Sequence, residues 1–272
     1  KYGIHAWGEP ISGRRACHGI RFGYSCSGRL QVEARPYRES QTMTAPFSVA
    51  ALEPEATTPL IMAVPKGRIL KDCAPVMARA GIEPSPEYTD ENTRHMRFPT
   101  NDPMLDVVRV RSFDVATFVA FGAAQIGICG ADVLMEFDYP EVYAPLDLGI
   151  AKCRVSVAEP VATAGTEDQS RWSRVRVATK YPNIARKHFA SRGIQAETVH
   201  LNGAMELAPG LGICDLIVDL VDTGRTLKAN GLVETEVIAQ VTSRLIVNRT
   251  ALKTQPERIG ALIAKFRAAL GQ

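Results

Sequence analysis

The 272-residue chain is 46% hydrophobic and 22% charged, a composition that excludes collagen, coiled coil, a wholly disordered chain and a membrane protein. Its length suits one large domain or two of roughly 100 to 150 residues. The net charge of +3 is uneven: residues 1–42 hold seven Lys and Arg against three Glu, a balance of +4, which leaves 25 basic and 26 acidic residues, or −1, in the rest. The basic excess therefore belongs to the N-terminal stretch, and neither a nucleic-acid nor a membrane partner is expected.

The longest uncharged run, between Asp114 and Asp132, is broken by Gly122, Gln125, Gly127 and Gly130. It is too short and too punctuated to span a bilayer. The cysteines at 17, 26, 73, 129, 153 and 214 form no C-x-x-C pair, so a zinc knuckle and a dithiol redox pair are both excluded. The Cys17-His18 pair with Cys26 nearby reads as chance in a stretch rich in Gly and Arg. Scattered free thiols fit a reducing, cytoplasmic compartment.

Residues 1–42 show no sustained period of 2 or 3.6 and no apolar signal core, so nothing in them calls for packing or export. The first methionine is Met43, expected as the natural start, with the preceding residues a read-through or a disordered arm. Pro46, Pro54 and Pro59 mark a linker, and residues 1–57 together read as a disordered or non-native extension. At Leu60 the pattern changes. Leu60 to Val64 reads as a strand, Pro65-Lys66-Gly67-Arg68 as a tight turn, and Ile69 to Ala80 as a helix stopped by Gly81.

Next, Leu105 to Arg111 reads as a strand, Asp114 as the cap of a helix reaching Phe121, Gln125 to Cys129 as a buried strand, and Ala131 to Phe137 as a helix. Alternating strand and helix define an α/β protein. A second module is expected after Leu148-Gly149: strands at Arg154 to Ala158 and Val175 to Thr179, a loop between them around 165–173, and a helix from Pro182 to Arg192. Strands at Ile194 to Leu201 and Ile213 to Leu220 follow, separated by the Asn202-Gly203 turn and a short helix at Glu206. Leu232 to Val241 and Ser243 to Asn248 read as strands, and an amphipathic helix from Pro256 carries Ile259, Leu262, Ile263 and Phe266 back to the first module.

Chemistry concentrates in Asp219-Leu220-Val221-Asp222-Thr223-Gly224-Arg225-Thr226-Leu227. An apolar strand delivers two carboxylates to its end, and a Thr-Gly-x-Thr loop then opens a helix. Gly224 lets successive backbone N–H groups converge, and two hydroxyls add donors, which shapes the loop for a phosphate. Carboxylates beside that anion suit sugar hydroxyls or a magnesium ion near the phosphate, so a ribose phosphate meets both demands. The plain alternative is an ordinary turn with Asp219 as a cap.

This loop resembles the phosphoribosyl-diphosphate loop of phosphoribosyltransferases. Together with Asn202-Gly203-Ala204-Met205-Glu206-Leu207-Ala208-Pro209, Ala63-Val64-Pro65-Lys66-Gly67-Arg68, and Leu146-Asp147-Leu148-Gly149 before Cys153-Arg154, the body from 60 to 272 resembles the ATP phosphoribosyltransferase family of histidine biosynthesis. The resemblance implies a two-lobed, periplasmic-binding-protein-like (type II) α/β fold with the active site in the cleft. Lobe one would be 58–152 plus 242–272, and lobe two 153–241.

The same resemblance implies catalytic roles for Asp219, Glu206, Lys66 and Arg68. Asp219 and Thr223 to Leu227 would hold the ribose and its 5-phosphate, Glu206 the ribose hydroxyls, and Lys66 and Arg68 the diphosphate and nucleotide phosphates. Asp222, Thr223, Gly224, Arg225, Thr226, Leu227, Arg94, Arg111, Gly130 and Asp132 complete the expected substrate-binding set, with Arg109 a further candidate. On their own residues alone, the plain alternatives are a first-turn cap for Glu206, a solvated turn for Lys66 and Arg68, and a helix cap for Asp132. Magnesium is implied as the cofactor, held through the substrate and not by direct protein ligands.

With one helix after Pro256, the chain resembles the short type. That type implies a homodimer or higher oligomer with a regulatory subunit resembling histidyl-tRNA synthetase. The rivals are a salvage phosphoribosyltransferase using a free base and a non-enzymatic solute-binding protein.

Overall fold

The structure, a computed structural model, describes residues 58–90, 92–165 and 173–272. The expected extension and linker at 1–57, the Cys17, His18 and Cys26 group, and most of the loop expected at 165–173 lie outside the described residues.

Two β-sheets organise the chain, both within one compact unit. The first is built from β1 (Leu60–Pro65), β2 (Arg97–Pro99), β3 (Leu105–Val110), β4 (Ile126–Gly130), β5 (Val142–Asp147) and, from far along the chain, β11 (Ser243–Asn248). Its order is β2-β3-β1-β4-β11-β5. The second contains β6 (Cys153–Pro160), β7 (Arg174–Thr179), β8 (Gln195–His200), β9 (Leu216–Val221) and β10 (Leu232–Val241), in the order β10-β6-β9-β7-β8. Central β1 runs parallel to β3 and β4, and β9 parallel to β7, as strands joined through helices must. Parallel strands bring their carboxyl ends to one side, where α/β proteins place ligands.

Helices α1 (Arg68–Arg79), α2 (Ser112–Ala120) and α3 (Ala131–Phe137) follow β1, β3 and β4. Helices α4 (Pro182–Ala190) and α5 (Arg225–Ala229) follow β7 and β9, and α6 (Arg249–Thr254) and α7 (Pro256–Ala269) end the chain. Period-3.6 apolar positions explain the packing of α1 and α7. Cys73, Val76 and Met77 of α1 share a buried cluster with Ile259, Leu262 and Phe266 of α7 and with Met62, Leu105 and Val107 of the first sheet. On the sheet's other face, Val115 and Val119 of α2 meet Ala63 and Cys129. A Cβ on Gly127 would stand 2.9 Å from Val119 Cγ2 and 3.1 Å from the Ala63 carbonyl oxygen, so only glycine lets α2 approach β4 this closely.

Several boundaries differ from expectation for local reasons. Asp114 does not cap α2: the helix starts at Ser112 after Arg111, and Asp114 sits in its first turn. Strand β9 begins three residues later than the apolar run, because Ala208 to Cys214 leave the strand path to form a turn closed by the Ile213 N–H donating to the Ala208 carbonyl. The short helix at Glu206 is a 3-10 turn, Met205–Leu207. Strands β2 and β5 and helix α6 carry no strong periodic signal; β5 alternates poorly and is held by pairing with β11.

Candidate active site

At the carboxyl end of β9, the residues Asp219 to Leu227 together with Glu206 enclose a cavity of about 240 Å³. Strand β9 lies between antiparallel β6 and parallel β7, so its end is held from both sides. Gly224, at φ 72°, turns the chain into α5 through a left-handed conformation that side-chain-bearing residues adopt at a cost. The first N–H groups of a helix have no partner within it, and those of α5 open beside the hydroxyls of Thr223 and Thr226, both on exposed residues. Leu227 is buried and anchors the loop among Val221, Ala158 and Leu232.

The loop is also held from outside. Arg154 donates to the Asp222 carbonyl at 2.9 Å and, through two nitrogens, to both carboxylate oxygens of Glu234 at 2.5 Å. Glu234 also accepts from Ser156 Oγ at 2.7 Å. The guanidinium hydrogen bonds hold the Glu234 carboxyl below its usual range. Glu206 is presented by Ala204, which takes a left-handed φ of 56°, while the adjacent Met205 is buried.

Asp219 is the electrostatic centre. Burial is the largest influence and pushes its carboxyl up to about 6; the neighbouring charges of Glu206 and Asp132 add to the rise, while the Leu220 N–H and Lys180 oppose it. The Leu220 amide donates to Asp219 Oδ1 at 2.8 Å.

Asp132 does not line the loop cavity. It is buried in the first turn of α3, and its Oδ2 accepts from the Tyr181 hydroxyl at 2.8 Å. Gly130 makes room for it: a Cβ there would fall 2.0 Å from Asp132 Oδ1. Asp132 thus joins the end of β4 in the first sheet to the turn after β7 in the second, within electrostatic reach of Asp219.

The expected cations stand elsewhere. Lys66 is exposed just beyond β1, and its N–H donates to the Val110 carbonyl at 2.8 Å, which sets it beside Arg111 at the end of β3. Gly67, φ 83°, precedes the first residue of α1, Arg68. Arg94 is exposed in the segment before β2. Of these, Lys66, Arg94 and Arg111 do not line the cavity at the end of β9. Arg109 is buried, and its Nη1 donates to the carbonyls of Tyr88 and Asp90 at 2.8 and 3.0 Å while the guanidinium covers Phe98. It braces that loop.

Lys180 escaped the sequence reading. Its Nζ lies 4.0 Å from the centroid of Phe113 in α2, and its charge acts on both Asp219 and Asp132. The available signal was positional: Thr179-Lys180-Tyr181-Pro182 is a strand-to-helix turn like the one carrying Lys66. Tyr181 and Glu136 escaped as well, because their partners are distant in sequence.

A glycine-turned loop with open amides and hydroxyls, at the carboxyl end of a central strand and beside buried carboxylates, defines an α/β protein equipped to seat a phosphorylated, hydroxyl-bearing ligand. The chain is also similar to known proteins. Residues 111–268 match the family model described as ATP phosphoribosyltransferase. The ATP phosphoribosyltransferase of Gluconobacter oxydans is 68% identical over 221 residues, covering 81% of this chain and 91% of that protein. That of Paramagnetospirillum magneticum is 63% identical, covering 78% and 97%. A solved ATP phosphoribosyl transferase (HisG:HisZ) complex from Thermotoga maritima matches with a TM-score of 0.64 and 30% identity, over 78% of this chain and 98% of the matched one. The chain belongs to the ATP phosphoribosyltransferase family and is a pentosyltransferase. Among the described residues, no helix is long and apolar enough to cross a membrane.

Proposed function

We infer that the chain transfers the phosphoribosyl group of phosphoribosyl diphosphate to the adenine ring of ATP, releasing diphosphate, as the first step of histidine biosynthesis. The observation that carries the reading is the cavity in which the Thr223 to Leu227 loop meets the carboxylates of Asp219 and Glu206. The loop takes the 5-phosphate on its amides and hydroxyls, Asp222 and Arg225 flank it, and Asp219 and Glu206 accept hydrogen bonds from the ribose hydroxyls. A ring nitrogen of ATP attacks the anomeric carbon as the bond to diphosphate breaks. The sugar passes through an oxocarbenium-like state that the Asp219 and Glu206 charges favour.

The remaining demand is to hold two polyanions in line. Lys66 and Arg68 take the departing diphosphate and the nucleotide phosphates, Arg94 and Arg111 add positive charge, and Gly130 and Asp132 shape the facing wall. Among the described residues no three His, Cys, Asp or Glu side chains gather as a metal cage. Magnesium, which commonly keeps several waters and binds through phosphates, would arrive with its substrate. Asp222, which lines the cavity, would meet its water shell, and the ion when bound would neutralise leaving-group charge.

The two-sheet architecture supports a type II periplasmic-binding-protein-like fold, with lobe one at 58–152 plus 242–272, lobe two at 153–241, and closure that keeps water from the activated sugar. The Thermotoga HisG:HisZ complex supports assembly with a second, regulatory subunit; the resemblance of that subunit to histidyl-tRNA synthetase, self-association and a cytoplasmic location belong to the same proposed reading. The test is an assay with phosphoribosyl diphosphate, magnesium and either ATP or free adenine, with and without that subunit. Diphosphate release dependent on ATP, and increased by the subunit, is expected. Transfer to free adenine but not ATP would overturn the reading.

A further inference from the structure

Lys180 stands between two buried anchors. Thr179 ends β7 in parallel register with Val218 of β9. Its Oγ1 donates to the Val218 carbonyl at 2.6 Å and accepts from the Tyr181 N–H at 2.8 Å. On the other side of Lys180, the Tyr181 hydroxyl donates to Asp132 and the Tyr181 ring packs 5.3 Å from that of Phe113. Lys180 is one residue past the Thr179–Val218 pair on one strand, and Asp219 is one residue past it on the other. Continued parallel register therefore sets the two side by side at the carboxyl ends of β7 and β9. The seat of the ammonium comes from the other sheet: Nζ lies 4.0 Å from the centroid of Phe113 in α2, within reach of a cation–π attraction.

Asp219 has need of such a neighbour. Glu206, from the 3-10 turn, and Asp132, from α3, bring like charge to it, whereas the Lys180 charge acts in the opposite sense on both Asp219 and Asp132. Asp222 and Arg225 line the cavity with Asp219, and its partner position on β6 is the uncharged Ser156. Asp132 is met by the Tyr181 hydroxyl as well.

We propose that Lys180 is a positioning residue for phosphoribosyl transfer: seated on Phe113, its ammonium holds the adjacent Asp219 as the ionised acceptor of the ribose hydroxyls. This role rests on the proposed part of Asp219 in the transfer and supplies what keeps that carboxylate ready near neutral pH. Carboxyl 13C NMR on the full chain, with the Asp219 signal assigned by its loss in Asp219→Asn, follows this proton without reference to turnover. Lys180→Met is expected to tighten the proton about tenfold, the lower end of what a neighbouring opposite charge does to a carboxylate, and so to move the titration upward from about 6. The acid limb of kcat moves with it, while turnover at alkaline pH, where Asp219 is ionised in both chains, stays close to the parent's. Lys180→Arg keeps the charge and can keep the ring contact, so titration and limb stay near those of the parent. An unmoved Asp219 titration in Lys180→Met overturns the proposal and leaves the transfer reading standing. So does an equal displacement in Lys180→Arg, which would show packing and not charge at work. A KM for phosphoribosyl diphosphate raised alike at every pH, with the limb unmoved, also overturns it, by making Lys180 a phosphate ligand. A displaced titration with kcat unchanged at every pH upholds the action of Lys180 on Asp219 and overturns the part of Asp219 in the transfer.

Discussion

Asp219 shows how one residue serves two demands. Burial at the end of β9 raises its carboxyl to about 6, yet in the proposed role the ribose would need the ionised form, whose oxygens both accept. The native chain therefore binds this proton more tightly than the unfolded chain, so folding stability from this group declines as pH rises from about 3.8 to about 6. Glu234 has the opposite sign. Its lowered value contributes stability that is present above its ordinary 4.5 and lost as pH falls through the depressed value. Asp219→Asn is expected to lower turnover by about a hundredfold, in the range seen for removal of one transition-state-stabilising group. ATP affinity should change much less. Steady-state kinetics across pH should give the wild-type chain an acid limb centred near pH 6 that the Asn variant lacks; unchanged turnover removes Asp219 from the role.

Among the elements, α4 is held by a residue of α3. Helix α4 starts with Pro182 at a position needing no N–H, and the orphan N–H groups of Asn183 and Ile184 donate to the Glu136 carboxylate at 2.9 and 3.0 Å. The Asn183 amide also donates to the Glu136 carbonyl at 3.0 Å. A buried anion at a helix N-terminus gains from the helix dipole as well. Glu136→Ala leaves those donors unmet, and a loss of about 3 kcal/mol in urea denaturation is expected. Glu136→Gln keeps one acceptor and should lose less; equal losses would show that packing, not capping, dominates.

At the scale of the whole molecule, the two sheets meet through a few polar and aromatic contacts beside the site. The Tyr181 hydroxyl on Asp132 and the Lys180 ammonium over Phe113 each tie the turn after β7 to helices of the first sheet. Burial keeps the Asp132 carboxyl above its ordinary range, and the Tyr181 hydrogen bond counters that rise. Tyr181→Phe removes the donor, so a buried carboxylate loses its partner. A stability loss of about 2 kcal/mol, seen as a Tm lower by about 4 to 8 °C, is the expected outcome in calorimetry. A Tm within a degree of the parent would show that the hydrogen bond does not hold the sheets.

By itself the sequence determined the α/β class, the alternation of strand and helix, the apolar faces of α1 and α7, and the glycine-turned loop after Asp219. Each is written in neighbouring residues as a period, a turn residue or a cap. Only the tertiary structure decided which charged groups face one another: that Arg109 braces a loop, that Asp132 is engaged by Tyr181, that Arg154 pins the Asp222 carbonyl, and that Lys180 acts on Asp219. These partners are separated by between 19 and 68 positions in the hydrogen-bonded cases, so no local pattern encodes them. Their pairing follows from strand order, and strand order is settled by how the helices cover both sheets.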